Sequence, residues 1–128
     1  MTLVPALLLS LALVVCAGAF TPFRVASIFS EHLVLQRAPA SSRVWGWTTP
    51  QGVVEARLNC SASGGPVFAT NVTADSEGLW VVNYPPINGT HVPCYSSFTD
   101  LTSLNSVWYL DVVFGEVLLC LGQVRIFF

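Results

Sequence analysis

Apolar and polar positions alternate along most of this chain in short runs, each broken by residues that favour turns. Phe23 to Phe29 and Leu33 to Gln36 are apolar segments separated by the polar pair Glu31-His32. Arg43-Val44-Trp45-Gly46-Trp47 places both tryptophans on one face of a strand, two residues apart. Thr48-Thr49-Pro50-Gln51-Gly52 then has the proline and glycine chemistry of a turn. In Val53 to Asn59, Glu55 and Arg57 share a face and point away from Val54 and Leu58. Ser63-Gly64-Gly65-Pro66 is a further turn. Val67 to Thr73 leads into Asp75-Ser76-Glu77-Gly78, whose composition predicts a tight hairpin into Leu79 to Tyr84. Pro85-Pro86 ends that strand, because neither residue can donate to a ladder. Beyond the N-terminal stretch no window shows sustained helical periodicity. Strands of about five to seven residues at this spacing predict a mainly β fold, an antiparallel β-sandwich.

The N-terminus is different. From Thr2 to Ala19 there is no charged side chain, and Leu3 to Val15 is a leucine- and valine-rich core. Ala17-Gly18-Ala19 has the small residues that a signal peptidase accepts, so residues 1–19 read as a signal peptide cleaved before Phe20. A transmembrane anchor is the competing reading, since about 19 apolar residues just span a bilayer. Pro5, the lack of flanking basic residues and the small-residue site favour cleavage, leaving no stable membrane span.

Export fits three further features. Asn59-Cys60-Ser61, Asn71-Val72-Thr73 and Asn88-Gly89-Thr90 are N-glycosylation sequons without proline in the middle. Cys16 leaves with the signal, so Cys60, Cys94 and Cys120 remain, enough for one disulfide and one leftover thiol. A Cys60–Cys94 bridge would close a 34-residue loop and add about 3–4 kcal/mol. Three buried free thiols are the alternative. The expected location is the secretory route, extracellular or lysosomal.

Composition narrows the function classes. Only 9% of the 128 residues are charged, the net charge is −2, and all five basic residues are arginine. Nucleic-acid binding needs a clustered basic surface and is not expected. His32 and His91 stand without a Cys, His or carboxylate at ligand spacing, so neither a metal nor another cofactor is expected. Asp111 and Glu116 lie five apart around a predicted turn at Gly115, with no spacing argument for an acid/base pair. There is no G-x-S-x-G elbow, P-loop or G-x-G-x-x-G. Trp45, Trp47, Trp80 and Trp108 are packing residues on most strands of this kind. The other reading of the first three is a sugar-stacking platform, which would make the chain a stand-alone secreted carbohydrate-binding module.

The pattern changes again from Asp111. A strand with a polar end meets Gly115, and Val117 to Leu121 is a continuous apolar run that suits a strand buried on both faces. Gly122 at its end is where α/β folds build active sites. The expected organisation is therefore a signal peptide (1–19), a β-sandwich-like domain (20–110) and the start of a second, α/β domain (111–128).

At these residues the chain resembles the sialate O-acetylesterases. The resemblance lies in Phe23-Arg24-Val25-Ala26-Ser27, Leu33-Val34-Leu35-Gln36, Val44-Trp45-Gly46 and Trp80-Val81-Val82. It is strongest from Asp111 to Val117 and in Leu119-Cys120-Leu121-Gly122-Gln123. It implies a secreted or lysosomal glycoprotein that removes O-acetyl esters from sialoglycans, with a serine nucleophile on an SGNH-type α/β domain. In the family that strand ends in Gly-Gln-Ser-Asn-Met. Here Gly122 and Gln123 match, but Val124 occupies the nucleophile position and Arg125 the asparagine position. Valine has no hydroxyl to activate, so the chain is expected to be inactive as written. The partner histidine and acid lie downstream in the family, and neither His32 nor His91 matches that block. Val-Arg can be encoded by GT-A/G-AG-A/G, the form of an intron donor. Residues Val124 to Phe128 are therefore expected to be intron read-through that cuts the chain short of its chemistry; a point substitution plus truncation is the alternative.

Overall fold

A computed structural model describes residues 21–119 together with Gly122. The predicted signal peptide, Cys120, Gln123 and the Val124–Phe128 tail lie outside the described residues. Eight strands appear in the order β1 (Arg24–Val25), β2 (Leu33–Gln36), β3 (Arg43–Trp47), β4 (Val53–Asn59), β5 (Val67–Thr73), β6 (Leu79–Asn83), β7 (Cys94–Asp100) and β8 (Ser106–Gly115). A three-residue 3-10 helix, Ser61–Ser63, follows β4 and is closed by Gly64 in the left-handed region. The fold is mainly β, with strands in two sheets. One is three-stranded in the order β1-β3-β6, the other five-stranded in the order β2-β8-β7-β4-β5. Every pairing is antiparallel except β2 with β8. Among the described residues no helix is long and apolar enough to cross a membrane.

The period-two pattern decides which side chains meet between the sheets. Val44 on β3, with Trp80 and Val82 on β6, faces Val54, Ala56 and Leu58 on β4, Phe98 on β7, and Val112 and Phe114 on β8. Trp80 fills the middle of this core and is fully buried. Its ring lies 5.3 Å from Phe98 and is stacked 6.0 Å from Phe23. Gly46 sits directly across the ladder from Trp80. A Cβ on Gly46 would fall 2.1 Å from the Arg24 carbonyl and 2.5 Å from Trp80 Cζ2, so only glycine lets β1, β3 and the indole approach this closely.

The Asp75–Gly78 segment is a tight turn, but not a hairpin. Asp75 Oδ1 accepts hydrogen bonds from the backbone N–H groups of Glu77 and Leu79. Gly78 has positive φ, and a Cβ there would meet the Thr48 carbonyl at 2.2 Å, so the turn needs glycine on both counts. The flanking strands then diverge: β5 pairs with β4 in one sheet and β6 with β3 in the other. The reason is burial, since Trp80 and Val82 must face the other sheet rather than continue it.

The β7–β8 hairpin turns at Leu101–Asn105, held by Asp100, which is 2% exposed. Its carboxylate accepts from the N–H groups of Thr102 and Ser103 and from Ser103 Oγ at 2.6 Å. Burial pushes the Asp100 pKa up, but these hydrogen bonds outweigh it and leave the group below its ordinary value. A register shift opposite Cys94–Ser96 leaves both Leu110 and Asp111 on the outer face of β8, as a β-bulge does. Beyond it, Val112–Gly115 pair in parallel with Leu33–Gln36.

The sequence-based domain boundary at 110/111 therefore falls inside β8. Residues 111–115 belong to the sandwich because Val112 and Phe114 are buried in its core. Val117–Leu119, expected as part of a strand buried on both faces, lie outside any strand, and all three are exposed. No strand among the described residues runs beside them.

Candidate functional site

The parallel β2–β8 pair brings together charged residues about 80 positions apart. His32 precedes β2 and sits opposite Asp111; Arg37 follows β2 and sits opposite Glu116. His32 Nδ1 hydrogen bonds with Asp111 Oδ2, which raises the imidazole pKa above its ordinary value. Arg37 Nε donates to Glu116 Oε1 at 2.6 Å, and Gln36 Nε2 reaches the other oxygen at 3.4 Å. Both contacts hold the Glu116 carboxyl below its usual range. The isolated histidine of the sequence thus has a carboxylate partner. Asp111 and Glu116, one residue beyond each end of the four paired positions, clasp the parallel pair rather than each other.

This geometry is a fastening and not a catalytic dyad. No hydroxyl or thiol hydrogen bonds to His32 among the described residues, and a nucleophile needs its base within that reach. No group of three His, Cys, Asp or Glu side chains that could hold a metal ion occurs among them either. At the C-terminal end of β8, Thr90 holds Phe114: its N–H donates to the Phe114 carbonyl and its Oγ1 accepts from the Phe114 N–H.

The sequon asparagines are all exposed. Asn59 ends β4 and Asn71 stands on the edge strand β5, both on the outer face of the larger sheet; Asn88 lies in the loop after β6. Asn59 Oδ1 accepts from the Ser61 N–H at 2.9 Å, so this sequon is folded into a turn. Cys60 and Cys94 form a disulfide that ties the end of β4 to the start of β7, and both are fully buried.

The tryptophans separate into two groups. Trp80 is core and has no surface to offer a sugar, which removes it from the stacking candidates. Trp45 and Trp47 face outward from the smaller sheet with partial exposure, and Trp108 is 59% exposed on the larger one. A depression of about 390 Å³ beside Trp108 is lined by Arg57, Val67, Tyr95 and Ser97. A second, of about 370 Å³, lies over Trp45 and Trp47. Of the family-motif residues only Gly122 is described, and it is exposed with open space around it.

No protein-family model matches the chain. Curated relatives do. The Homo sapiens sialate O-acetylesterase is 34% identical over 122 residues, which is 94% of this chain and 23% of the human protein. The chain is a relative of the sialate O-acetylesterases. The Pongo abelii protein gives the same figures, and the Mus musculus protein is 32% identical over 104 residues, 79% of this chain and 19% of its own length. The chain thus spans about a quarter of the length of the sialate O-acetylesterases it matches. Two of the segments that carry the resemblance, Val44-Trp45-Gly46 and Trp80-Val81-Val82, are the facing strands of the core contact between Gly46 and Trp80. A third, Asp111 to Glu116, carries both clasp carboxylates. In these three segments the residues that carry the resemblance are also residues that build the scaffold.

Proposed function

We propose that this chain is the β-rich part of a sialate O-acetylesterase-type protein, delivered into the secretory pathway and without ester-hydrolase activity of its own. The observation that carries the second half is Val124. The family motif follows Gly-Gln with a serine, whereas Gly122-Gln123 here is followed by a side chain with no oxygen. Acyl transfer through that position needs a hydroxyl to form the ester intermediate and a base to take its proton. On this reading the sandwich runs through Gly115, the segment from Glu116 leads toward the hydrolase part, and O-acetylated sialoglycans are substrates of the longer proteins.

The test is an esterase assay on the purified chain with O-acetylated sialic acid and with a chromogenic acetate ester, beside the human relative. No turnover above buffer is expected. Turnover that a serine-directed inhibitor abolishes would overturn the proposal. Delivery is read separately by expression in mammalian cells. An N-terminus at Phe20 and a mass loss on enzymatic removal of N-glycans are expected, with Asn59, Asn71 and Asn88 as acceptors. An unprocessed, unglycosylated cytosolic product would contradict it.

A further inference from the structure

The smaller sheet has an outer face that the core does not use. Alternation along β3 turns Arg43, Trp45 and Trp47 outward, and their neighbours on β6 are Leu79 and Val81. These five residues line the depression of about 370 Å³. That volume falls in the range of small-molecule sites, which run from about 300 to 1,000 Å³. Phe29 meets Trp45 edge-on at 4.8 Å and props the indole against the sheet.

The arginines divide by partner. Arg37 is paired with Glu116 and Arg57 with Glu55. Arg24 and Arg43, the other two described arginines, have no carboxylate within salt-bridge distance among the described residues, and both stand on this one face. Arg24 lies 4.5 Å over the Trp47 ring, opposite which it pairs across the ladder. Arg43 gives its Nε to Asn83 Oδ1 at 2.9 Å, which orients the guanidinium. No acidic residue lines the depression. The chain as a whole carries a net charge of −2, so its overall charge does not attract anions. This face would do so locally.

We propose that the outer face of the smaller sheet binds a carboxylate-bearing sugar, its ring stacked on the Trp45–Trp47 surface and its carboxylate held by Arg43. The apolar C–H face of a pyranose suits an indole, and a guanidinium meets a carboxylate with two parallel hydrogen bonds. Arg24 supports the arrangement by fixing Trp47 from the side and adding positive charge. The charge selects the ligand class: a neutral sugar would use the indoles and leave both arginines unanswered. This site is distinct from the esterase chemistry, so loss of binding and presence of turnover are read in different assays.

The experiment titrates the purified full chain with the methyl glycoside of N-acetylneuraminic acid, followed by tryptophan fluorescence and calorimetry. The methyl ester of the same sugar and methyl galactoside serve as neutral probes. Saturable binding of the acid at millimolar or lower concentration is expected, with the ester at least about tenfold weaker, the order expected for one charge-assisted hydrogen bond. Arg43→Gln should bring acid and ester to the same weak affinity, and Trp45→Ala should abolish binding. Trp108→Ala, on the opposite sheet, should leave it unchanged. Circular dichroism identifies a misfolded Trp45→Ala, in which case Trp45→Leu replaces it. Equal affinity for acid and ester overturns the proposal, as does the absence of saturable binding. Self-association that Trp45→Leu removes also overturns it, because a second copy would then cover the face.

Discussion

Replacing Gly46 by alanine adds one methyl group where the structure has no room. The new Cβ would lie 2.1 Å from the Arg24 carbonyl oxygen and 2.5 and 2.8 Å from two atoms of the Trp80 indole. The carbonyl belongs to the β1 backbone, paired with β3 through Arg24↔Trp47 and Val25↔Gly46, so it cannot rotate aside. The indole is boxed between Phe23 and Phe98. Relief therefore requires β1 to leave the sheet or Trp80 to move against the core. Overpacking of this kind costs about 1–3 kcal/mol, and two simultaneous clashes put the change at or above the top of that range. For a domain of this size each kcal/mol shifts the melting temperature by about 4–8 °C, so a fall of about 12 °C or more is expected. Gly64→Ala is the control: its φ is +74° but nothing lies within 4 Å, so only backbone strain of about 1–2 kcal/mol applies. Urea unfolding of both variants supplies the comparison. A Gly46→Ala cost below about 1 kcal/mol, or one smaller than that of Gly64→Ala, would refute the reasoning.

Three other outcomes follow from buried groups. Burial pushes the Tyr84 phenol up to about 12, although its hydrogen bond with Ser96 Oγ pulls the other way. Its folded value is raised, so its stabilisation is complete below pH 10 and is lost as pH rises toward 12. The full difference is worth about 2.7 kcal/mol. Unfolding free energies measured across that interval should fall in the native chain and flatten in Tyr84→Phe; identical slopes would count against it. Asp100 titrates the opposite way. Its folded pKa lies below the ordinary 3.8, so its contribution is present above about pH 4 and is lost on acidification through the folded value. Asp100→Asn should cost about 1–3 kcal/mol at neutral pH and blunt the acid sensitivity, checked by urea unfolding at pH 3 and 7. Reduction of the Cys60–Cys94 bridge removes a 34-residue loop constraint, worth about 4 kcal/mol in the chain-entropy account. A melting temperature unmoved by reductant would exclude that contribution.

How much of this was legible in the sequence depended on whether local chemistry or a distant partner decided the outcome. β2 through β5 have the limits expected from alternation and flanking turns, down to Leu33–Gln36 and Val53–Asn59. Apart from Thr70 on β5 their inward positions are apolar or glycine, and turn residues such as Ser42, Gly52 and Pro66 precede β3, β4 and β5. β7 hides the signal, because its buried positions include Ser96, Ser97 and Asp100 beside Cys94 and Phe98. β8 hides it differently: the bulge breaks parity at Leu110–Asp111, so buried Tyr109 and Val112 are three apart and Trp108 and Leu110 face outward. The Asp75–Gly78 turn reads the same whether its strands share a sheet or part into two. His32 and Asp111 are 79 residues apart, and no spacing rule could join them without the parallel pairing of β2 with β8.

That parallel pairing also bears on the segment from Asp111 to Glu116, one of those that carry the resemblance. A parallel neighbour needs a long connection, and here it runs from Gln36 through five strands before β8 returns. The chain must therefore close the sheet around residues far apart in sequence. It does so with buried Val112 and Phe114, flanked by the His32–Asp111 and Arg37–Glu116 clasps. The clasp side chains are largely exposed, so their individual contributions are small. Their value lies in register: a slip of β8 by one residue against β2 would break both pairs and turn Val112 and Phe114 out of the core. The segment from Asp111 to Glu116 is thus constrained at nearly every position by folding alone. Its likeness to the sialate O-acetylesterases is a likeness of residues that the fold itself constrains.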